Sequence, residues 1–554
     1  MREHVQKLLR DAAERVIREI DPSQLDRLEG VQVIPTRQPD HGDFASSVAL
    51  TLSGPLALRG RDLAERIRAH LQDPDSLIER VEIAGPGFIN FFLAHAGWHD
   101  LLIRVLREGE RFGWTTTDPS DRVQVEFVSA NPTGPLTIGH GRNAVLGDAI
   151  VRLLEARGHE VTREYYFNDA GRQMRVLADS LRARYEQLLG RETELPEDGY
   201  QGEYLVEIAR TLVQEHGEGW LEADWTRFKA AAQDTIFIDI RNTLERLGIL
   251  HDVYFNEHTL YAEGHVEATL ADLRATGLVY EEEGATWLRS KDLGLDRNRV
   301  LVRSSGEATY LLPDIAYHRE KLRRGFARVI DVLGPDHIEQ FPYVKAALGA
   351  LGEPSNDVEV VVYQWVNLRR GEELVKMSTR AATFVTVDEV LAEVGPDVFR
   401  FFMLERRADT HFDFDLDLAR DRSERNPVFK IQYAHARLCS IERMALERGV
   451  EPPELEEVQF SRLESPQELE LVKRLERYPE TLDHAARARE PQELARYLLD
   501  LAGVFHTYVS DSRRHRVLSD DKELSVARLV LVRAVRITLA NGLDRLGITA
   551  PERM

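Results

Sequence analysis

Glu126-Phe-Val-Ser-Ala-Asn-Pro-Thr-Gly-Pro-Leu-Thr-Ile-Gly-His-Gly-Arg-Asn-Ala-Val-Leu-Gly-Asp148 is the stretch on which the fold of this chain turns. Ahead of it and at its start, Val123, Val125 and Phe127 alternate with polar residues, the period-two mark of a strand. Towards its end and beyond, Leu146, Ala149, Ile150, Leu153 and Leu154 recur at helical spacing up to Gly158, which suits a C-cap. The order is therefore strand, turn, helix. Asn131-Pro-Thr-Gly-Pro135 forces a sharp turn, and Gly139 and Gly141 allow close backbone approach where the helix begins. A helix start carries free N–H groups and partial positive charge, so it suits a phosphate, with His140 as a further donor.

An ordinary strand-helix turn needs such glycines for geometry alone. A dinucleotide fold is a second reading, since Gly139-His-Gly141-Arg-Asn-Ala144 fits the loose G-x-G-x-x-G/A pattern, with Glu164 about 20 residues beyond it. In that motif the first glycine closely follows the strand, whereas here a proline-containing segment separates Ser129 from Gly139.

Composition sets the bounds. A chain of 554 residues holds roughly three domains, and 30% charged with 43% hydrophobic residues is an ordinary globular balance. It contains no apolar run of membrane-spanning length, and its charged start enters an amphipathic helix, so a cytoplasmic protein without membrane contact is expected. One cysteine, Cys439, excludes a disulfide framework and any multi-cysteine zinc site, and the histidines show no ligand spacing. The net charge of −22 weighs against a nucleic-acid binder, although RNA contacts depend on local patches. Only nine lysines are present, which makes a well-placed lysine more telling.

A third reading comes from Thr137-Ile-Gly-His140, which resembles the HIGH motif of class I aminoacyl-tRNA synthetases. Its surroundings, Ser129-Ala-Asn-Pro-Thr-Gly-Pro-Leu136 and Gly139-His-Gly-Arg-Asn143, resemble the arginyl-tRNA synthetase version. Tyr165-Tyr-Phe-Asn-Asp169, closing a second strand from Glu160 to Phe167, is similar to the family's next segment. Past a strand read over Val358 to Val366, Lys376-Met377-Ser378 resembles the KMSKS loop. Two residues depart from the pattern: Thr137 replaces the first histidine of HIGH, and Thr379 the second lysine of KMSKS, where Arg380 is expected to take over its charge.

The second half is read as Val300–Arg303 strand, turn, Thr309–Leu312 partner strand, a helix over residues 315–324, then Arg328–Leu333 strand. This predicts a parallel strand-helix-strand unit with ligands beyond the strand ends. Asp314 is a plausible helix cap on its own terms. The resemblance instead puts Tyr310, Asp314 and Gln340 around the side chain of arginine, with Glu126 and Asn131 at its α-amino group. A planar guanidinium is taken bidentately by a carboxylate, which an ammonium cannot imitate.

At the N-terminus a helix to Ile20, strands at Val31–Ile34, Val81–Ile83 and Phe88–Leu93, and a helix near residues 97–110 read as a small α+β domain. Gly85-Pro-Gly-Phe-Ile-Asn-Phe-Phe92 resembles the strand with which the family reads the tRNA elbow, implying RNA contacts by Phe88 and Asn90. From about residue 415 helices take over, with a capping box at Ser465-Pro-Gln-Glu468, and form a C-terminal bundle. Its resemblance to the family's anticodon-binding domain implies tRNA contacts near Tyr508, Arg514 and Met554.

The expected architecture is multidomain: an α+β tRNA-elbow domain over 1–112, and a Rossmann-like catalytic domain over 113–385 with an insertion at about 170–290. Linker helices and a helical anticodon-binding domain then follow over 386–554. The resemblance implies arginine–tRNA ligation, with His140, Lys376 and Thr137 as catalytic residues. It assigns ATP to Gly139, His140, Gly141, Asn143, Lys376, Met377 and Ser378. ATP with its Mg²⁺ and no zinc, arginine tRNA and L-arginine as partners, and a monomer are expected. An inactive RNA-binding paralogue and, more distantly, an NAD-dependent oxidoreductase are the alternatives.

Overall fold

The computed structural model describes the chain except Arg37, residues 115–120, Ala170, residues 375–384 and Ser512. The chain forms two compact units, neither continuous in sequence: Met1–Phe112, Arg437–Tyr478 and Val504–Thr538 in one, Gly113–Ala436, Pro479–Gly503 and Leu539–Met554 in the other.

In the first unit a four-stranded antiparallel sheet runs in the order Ile34–Pro35, Phe44–Ser46, Phe88–Leu93, Ile78–Ala84. The helix Arg2–Ile20 lays Val5, Leu9, Ala12, Val16 and Ile17 into the core, as their spacing dictates. Ser465 and Glu468 form the reciprocal capping box that opens the helix Pro466–Glu476.

The second unit is built on a parallel sheet of five strands: β1 (Arg122–Glu126), β2 (Glu160–Phe167), β3 (Val253–Asn256), β4 (Arg328–Leu333) and β5 (Val358–Val362). Their order is β5-β4-β1-β2-β3, so the direction of winding reverses between β1 and β4. That switch point is where ligands of such sheets bind, beyond the carboxyl ends of the strands. Helix α1 (Ile138–Ala156) follows β1 and is buried on almost every side. Such all-round burial demands close packing. A Cβ added at Gly147 would stand 2.2 to 2.6 Å from the Cγ, Cβ and Cδ2 atoms of Phe127.

Three local expectations are corrected. Thr309–Leu312 is not a strand: Leu311 opens helix α2 (Leu311–Arg323), with Pro313 in its first turn, where no N–H is needed. Arg299–Val302 is a strand, but it pairs antiparallel with Ala285–Leu288 in a separate three-stranded sheet. It therefore forms no parallel unit with β4, whose neighbours are β1 and β5. Period-two patterning marks a strand without naming its partner, which is a long-range matter. Finally, the strand read over Val358 to Val366 is two: β5 ends at Val362, and Val366–Arg370 pairs with Phe412–Asp415 in another sheet.

The insertion supplies the helices Arg172–Leu188, Glu203–His216 and Trp225–Arg246. Its Tyr204 donates to Thr133 O and packs on Gly134, bracing the turn that precedes α1.

Three carboxylates stand side by side across the sheet, because Asp331 of β4 pairs in register with Glu126 of β1, and Glu126 with Glu164 of β2. All three are buried. One face of α2, with Arg324 at its end, answers them. Lys321 bonds Glu126 and, at 2.7 Å, Asp331; His318 Nε2 lies 2.6 Å from Asp331; Arg324 takes Glu164 bidentately at 2.6 and 2.8 Å. The Tyr317 hydroxyl donates to Glu164 at 2.7 Å.

Replacing Gly147 by alanine forces the methyl against the base of the Phe127 ring, where no flexible side-chain end can yield. We expect a stability loss of about 1–3 kcal/mol, read as a lower urea midpoint with an unchanged slope.

Candidate active site

A cavity of about 550 Å³ opens at the switch point between β1 and β4. Glu126, Asn131, Thr137, Gly139, His140, Asn143, Tyr310, Asp314 and Gln340 all line it, so one space gathers these residues from four parts of the chain. A second cavity of about 920 Å³ adjoins it, sharing Asn168, Glu257, Pro313 and Tyr310.

The α1 end of the cavity is a donor site. Thr137 is the N-cap, in extended conformation, and its N–H donates to His140 Nδ1 at 3.2 Å; its Oγ1 lies at the same distance. Burial pushes the imidazole down to about 4. At neutral pH the ring is therefore uncharged, and with Nδ1 accepting, its proton sits on Nε2 as a donor. Gly139 lies beside it. A Cβ there would point at the Trp365 ring 4.0 Å away, so glycine leaves the space before this half-exposed indole open.

Arg142, one turn into α1, fixes that indole's segment. Its buried guanidinium donates to Gln364 O at 2.6 Å, Thr410 O at 2.9 Å and Arg407 O at 2.8 Å. Lys376, Met377 and Ser378, with Thr379 and Arg380, lie outside the described residues. The residues that follow them return to α1: Thr386 bridges Thr137, and Val387 N–H donates to Leu136 O at 2.9 Å.

The opposite end is acidic. Asp314, in the first turn of α2, accepts from Gln340 Nε2. Burial pushes its carboxyl up to about 7; His318 and the Gln340 bond oppose this, while Glu257 and Glu126 add to it. Glu257 follows β3 and is also buried; burial raises it too, against the hydroxyl of Tyr166. Tyr310 stands at the mouth, 64% exposed, where it reaches both cavities. Asn131 is exposed and donates to Gln173 Oε1 at 2.9 Å.

Glu126 is already engaged. Lys321 holds its Oε2, and the Ser129 hydroxyl donates to Oε1 at 2.8 Å. Between them the backbone turns at Val128, φ +70°, and Ser129, φ +41°. A β-branched residue there is strained by about 1–3 kcal/mol. Tertiary bonds hold it: Asn143 Oδ1 accepts from Val128 N–H at 2.8 Å, and Tyr166 N–H donates to Ser129 Oγ at 3.0 Å.

Several expected roles change with this geometry. The Asn143 amide bonds Val128 N–H and, at 2.9 Å, Val332 O, so it ties β1 to β4 while lining the cavity. Gly141 faces the protein, since a Cβ there would meet Phe399 at 2.6 Å and Val387 at 2.9 Å. Its N–H is spent on Thr137 O, so it serves helix packing. In the first unit Phe88 is exposed, and Asn90 is largely buried in the sheet. Tyr508 is fully buried and stacked on His515, leaving no free face. Arg514 and Met554 are exposed.

The residues missed from sequence are Lys321, Glu257, Trp365, Ser129 and Arg142. Lys321 had a signal, as one of nine lysines and two helical turns from Asp314. Glu257 and Trp365 had none, because only folding brings them to the cavity.

Residues 102–403 match the class I tRNA synthetase (R) catalytic domain, 3–93 the arginyl-tRNA synthetase N-terminal domain, and 431–554 the DALR anticodon-binding domain. The chain is 49% identical over 514 residues to an arginine–tRNA ligase of Desulfotalea psychrophila, covering 93% of each. It is 45% identical to that of Desulfosudis oleivorans over the whole of both chains. The structure of Thermus thermophilus arginyl-tRNA synthetase superposes with a TM-score of 0.76 at 25% identity, all of each chain covered. A donor-rich helix start and a carboxylate pocket at one switch point, and these three matches in order along the chain, lead to one conclusion: the chain belongs to the arginyl-tRNA synthetases of class I.

Proposed function

We propose that this chain, an arginine–tRNA ligase, forms arginyl-adenylate from L-arginine and ATP in the 550 Å³ cavity and then passes arginine to the terminal adenosine of its tRNA. The observation that carries this reading is the sharing of one cavity by a neutral imidazole donor at a helix start and the Asp314–Gln340 pair.

The guanidinium pairs with Asp314, flanked by Glu257 and the Tyr310 ring, and Gln340 holds the carboxylate in place. Lysine's ammonium cannot make the planar bidentate contact, so it is rejected at the binding step without editing. The α-ammonium lies at Glu126, with Asn131 beside it. The arginine carboxylate then attacks the α-phosphorus in line: a carboxyl oxygen–phosphorus bond forms, the bond from the α-phosphorus to the oxygen bridging to the β-phosphate breaks, and pyrophosphate leaves with that oxygen. His140 Nε2–H stabilises the charge as it develops, and a preorganised donor of this kind contributes about 3 kcal/mol. Lys376 and Ser378 serve the leaving pyrophosphate.

Among the described residues no group of three or more His, Cys, Asp or Glu side chains is gathered as for a metal. Mg²⁺ is assigned to the phosphates of ATP, as is usual for this ion. The adenine lies against Trp365, and the adjoining 920 Å³ cavity gives room for the tRNA terminus. There the ribose hydroxyl attacks the arginyl carbonyl and AMP leaves. As the family resemblance implies, bound tRNA is needed before the adenylate forms, and its terminus is placed beside Tyr310 and Glu257. Phe88, Arg514 and Met554 are the proposed tRNA contacts elsewhere. The segments 1–112, 113–385 and 386–554 serve the tRNA elbow, the chemistry and the anticodon. Among the described residues no helix is long and apolar enough to cross a membrane; a monomer working in the cytoplasm is proposed on the family resemblance alone.

Exchange of labelled pyrophosphate into ATP tests the whole reading. We expect exchange with arginine and its tRNA together, and none with lysine; tRNA binding without exchange or charging would leave only an RNA-binding paralogue.

The pH dependence of arginine binding tests Asp314. Its carboxyl sits at about 7 in the empty cavity, and only its ionised form pairs with the permanently charged guanidinium. KM for arginine therefore rises as pH falls through 7, by about tenfold between pH 8 and pH 6, and Asp314→Asn loses both the affinity and the dependence.

Trp365→Ala is expected to raise KM for ATP by roughly tenfold, the scale of one base–aromatic stack, while KM for arginine stays put. An unchanged ATP KM would remove Trp365 from the adenine site.

A further inference from the structure

Lys321 lies where no catalytic or binding role is assigned. Its ammonium is completely buried, between the carboxylates of Glu126 and Asp331, with the Tyr317 ring 4.2 Å beneath it. Glu126 and Asp331 both line the reaction cavity; Lys321 does not. It stands behind the two acids, on the side away from substrate.

The neighbouring strands make the pair unstable without it. Glu126 and Asp331 are register partners on adjacent parallel strands, and Glu164 follows on the next. Like charges at this spacing in a dry sheet expel one another or take up protons. Glu164 has its own cation in Arg324, and Asp331 has His318 besides Lys321. For Glu126, Lys321 is the one cationic partner among the described residues; its other bond is from the neutral Ser129 hydroxyl. Each oxygen of a carboxylate accepts two hydrogen bonds, so Glu126, with one bond on each, retains capacity for a substrate donor.

We propose that Lys321 is a positioning residue for amino-acid recognition: from behind the cavity wall it pairs with Glu126 and fixes it, so that this carboxylate receives the α-ammonium of arginine. The proposal rests on the reading above that Glu126 takes the α-ammonium. Lys321 touches neither substrate, and acts on arginine only through Glu126. Its loss therefore weakens a ligand that carries an α-ammonium and spares one that lacks it.

The test compares KM for arginine with the inhibition constant of 5-guanidinopentanoate, which is arginine without its amino group, in the tRNA-supported exchange assay. In Lys321→Met we expect KM for arginine to rise by about tenfold or more, the effect of losing a charged hydrogen bond, with the other constant unchanged. Glu126→Gln is expected to shift the same ratio. Arg324→Met, which leaves Glu164 without its cation but lies outside the cavity lining, is expected to lower stability and leave the ratio as in the unmodified protein. Should Lys321→Met fail to fold, Lys321→Met/Asp331→Leu removes a cation and an anion together and leaves Glu126 without its cation.

A ratio that moves in Glu126→Gln but not in either Lys321 variant, or equal weakening of both ligands by a Lys321 variant, overturns the proposal and leaves the reading of Glu126 intact. A ratio unmoved by Glu126→Gln overturns both.

Discussion

The row of Asp331, Glu126 and Glu164 across three adjacent parallel strands is the constraint on which the catalytic half depends. Three carboxylates that close together and out of water are tolerable only with matched cations at bonding distance. Helix α2 brings them on one face: His318, Lys321 and, at its end, Arg324, with Tyr317 filling the last bond. Both His318 nitrogens face acceptors, Asp331 on one side and the Asp314 carbonyl on the other. Burial and Lys321 oppose a charge on the ring, while Asp331 and the Asp314 carbonyl favour it and raise the imidazole on balance. The match leaves α2 little freedom to slide or rotate. Since Tyr310 and Asp314 sit at the start of that helix, their placement at the mouth of the sheet follows from ion pairs formed farther along it.

A different economy governs the other wall. Helix α1 has only backbone donors, His140 and glycine to present to a phosphate. Its remaining polar side chains hold neighbours in place. Asn143 bonds the backbone of two strands, and Arg142 gathers three carbonyls around the segment bearing Trp365. The strained backbone at Val128 and Ser129 persists because such bonds over-determine it. Reactive and supporting residues thus share the motif: His140 faces the cavity, Gly141 the core, Arg142 the surrounding chain, and Asn143 both the cavity and the two strands it ties.

Whole-chain charge was a poor guide to partners here. A net charge of −22 weighed against nucleic acid, yet the chain belongs to a family of tRNA ligases. Many of the acids are paired with arginines, on the surface and within the sheet, and so do little to define the field at any one site. What a polynucleotide meets is a local arrangement, and totals average it away.

Much of this protein was legible in its residues. The alternation through Val125 and Phe127, the turn at Asn131–Pro135 and the helical spacing after Gly139 are local patterns, and each became the element it signalled. The capping box at Ser465 and Glu468 was equally local and equally plain. Motif order along the chain was sufficient for the family, because motifs are also read residue by residue. Tertiary structure decided whatever depended on partners distant in sequence. It joined Arg299–Val302 to a different sheet, buried Asn90 and Tyr508, and brought Glu257 and Trp365 to the cavity. It set Lys321 behind Glu126, 195 positions away, for a reason no local pattern contains. A buried charge needs an opposite charge within a few ångströms, and only the folded chain determines which one is there.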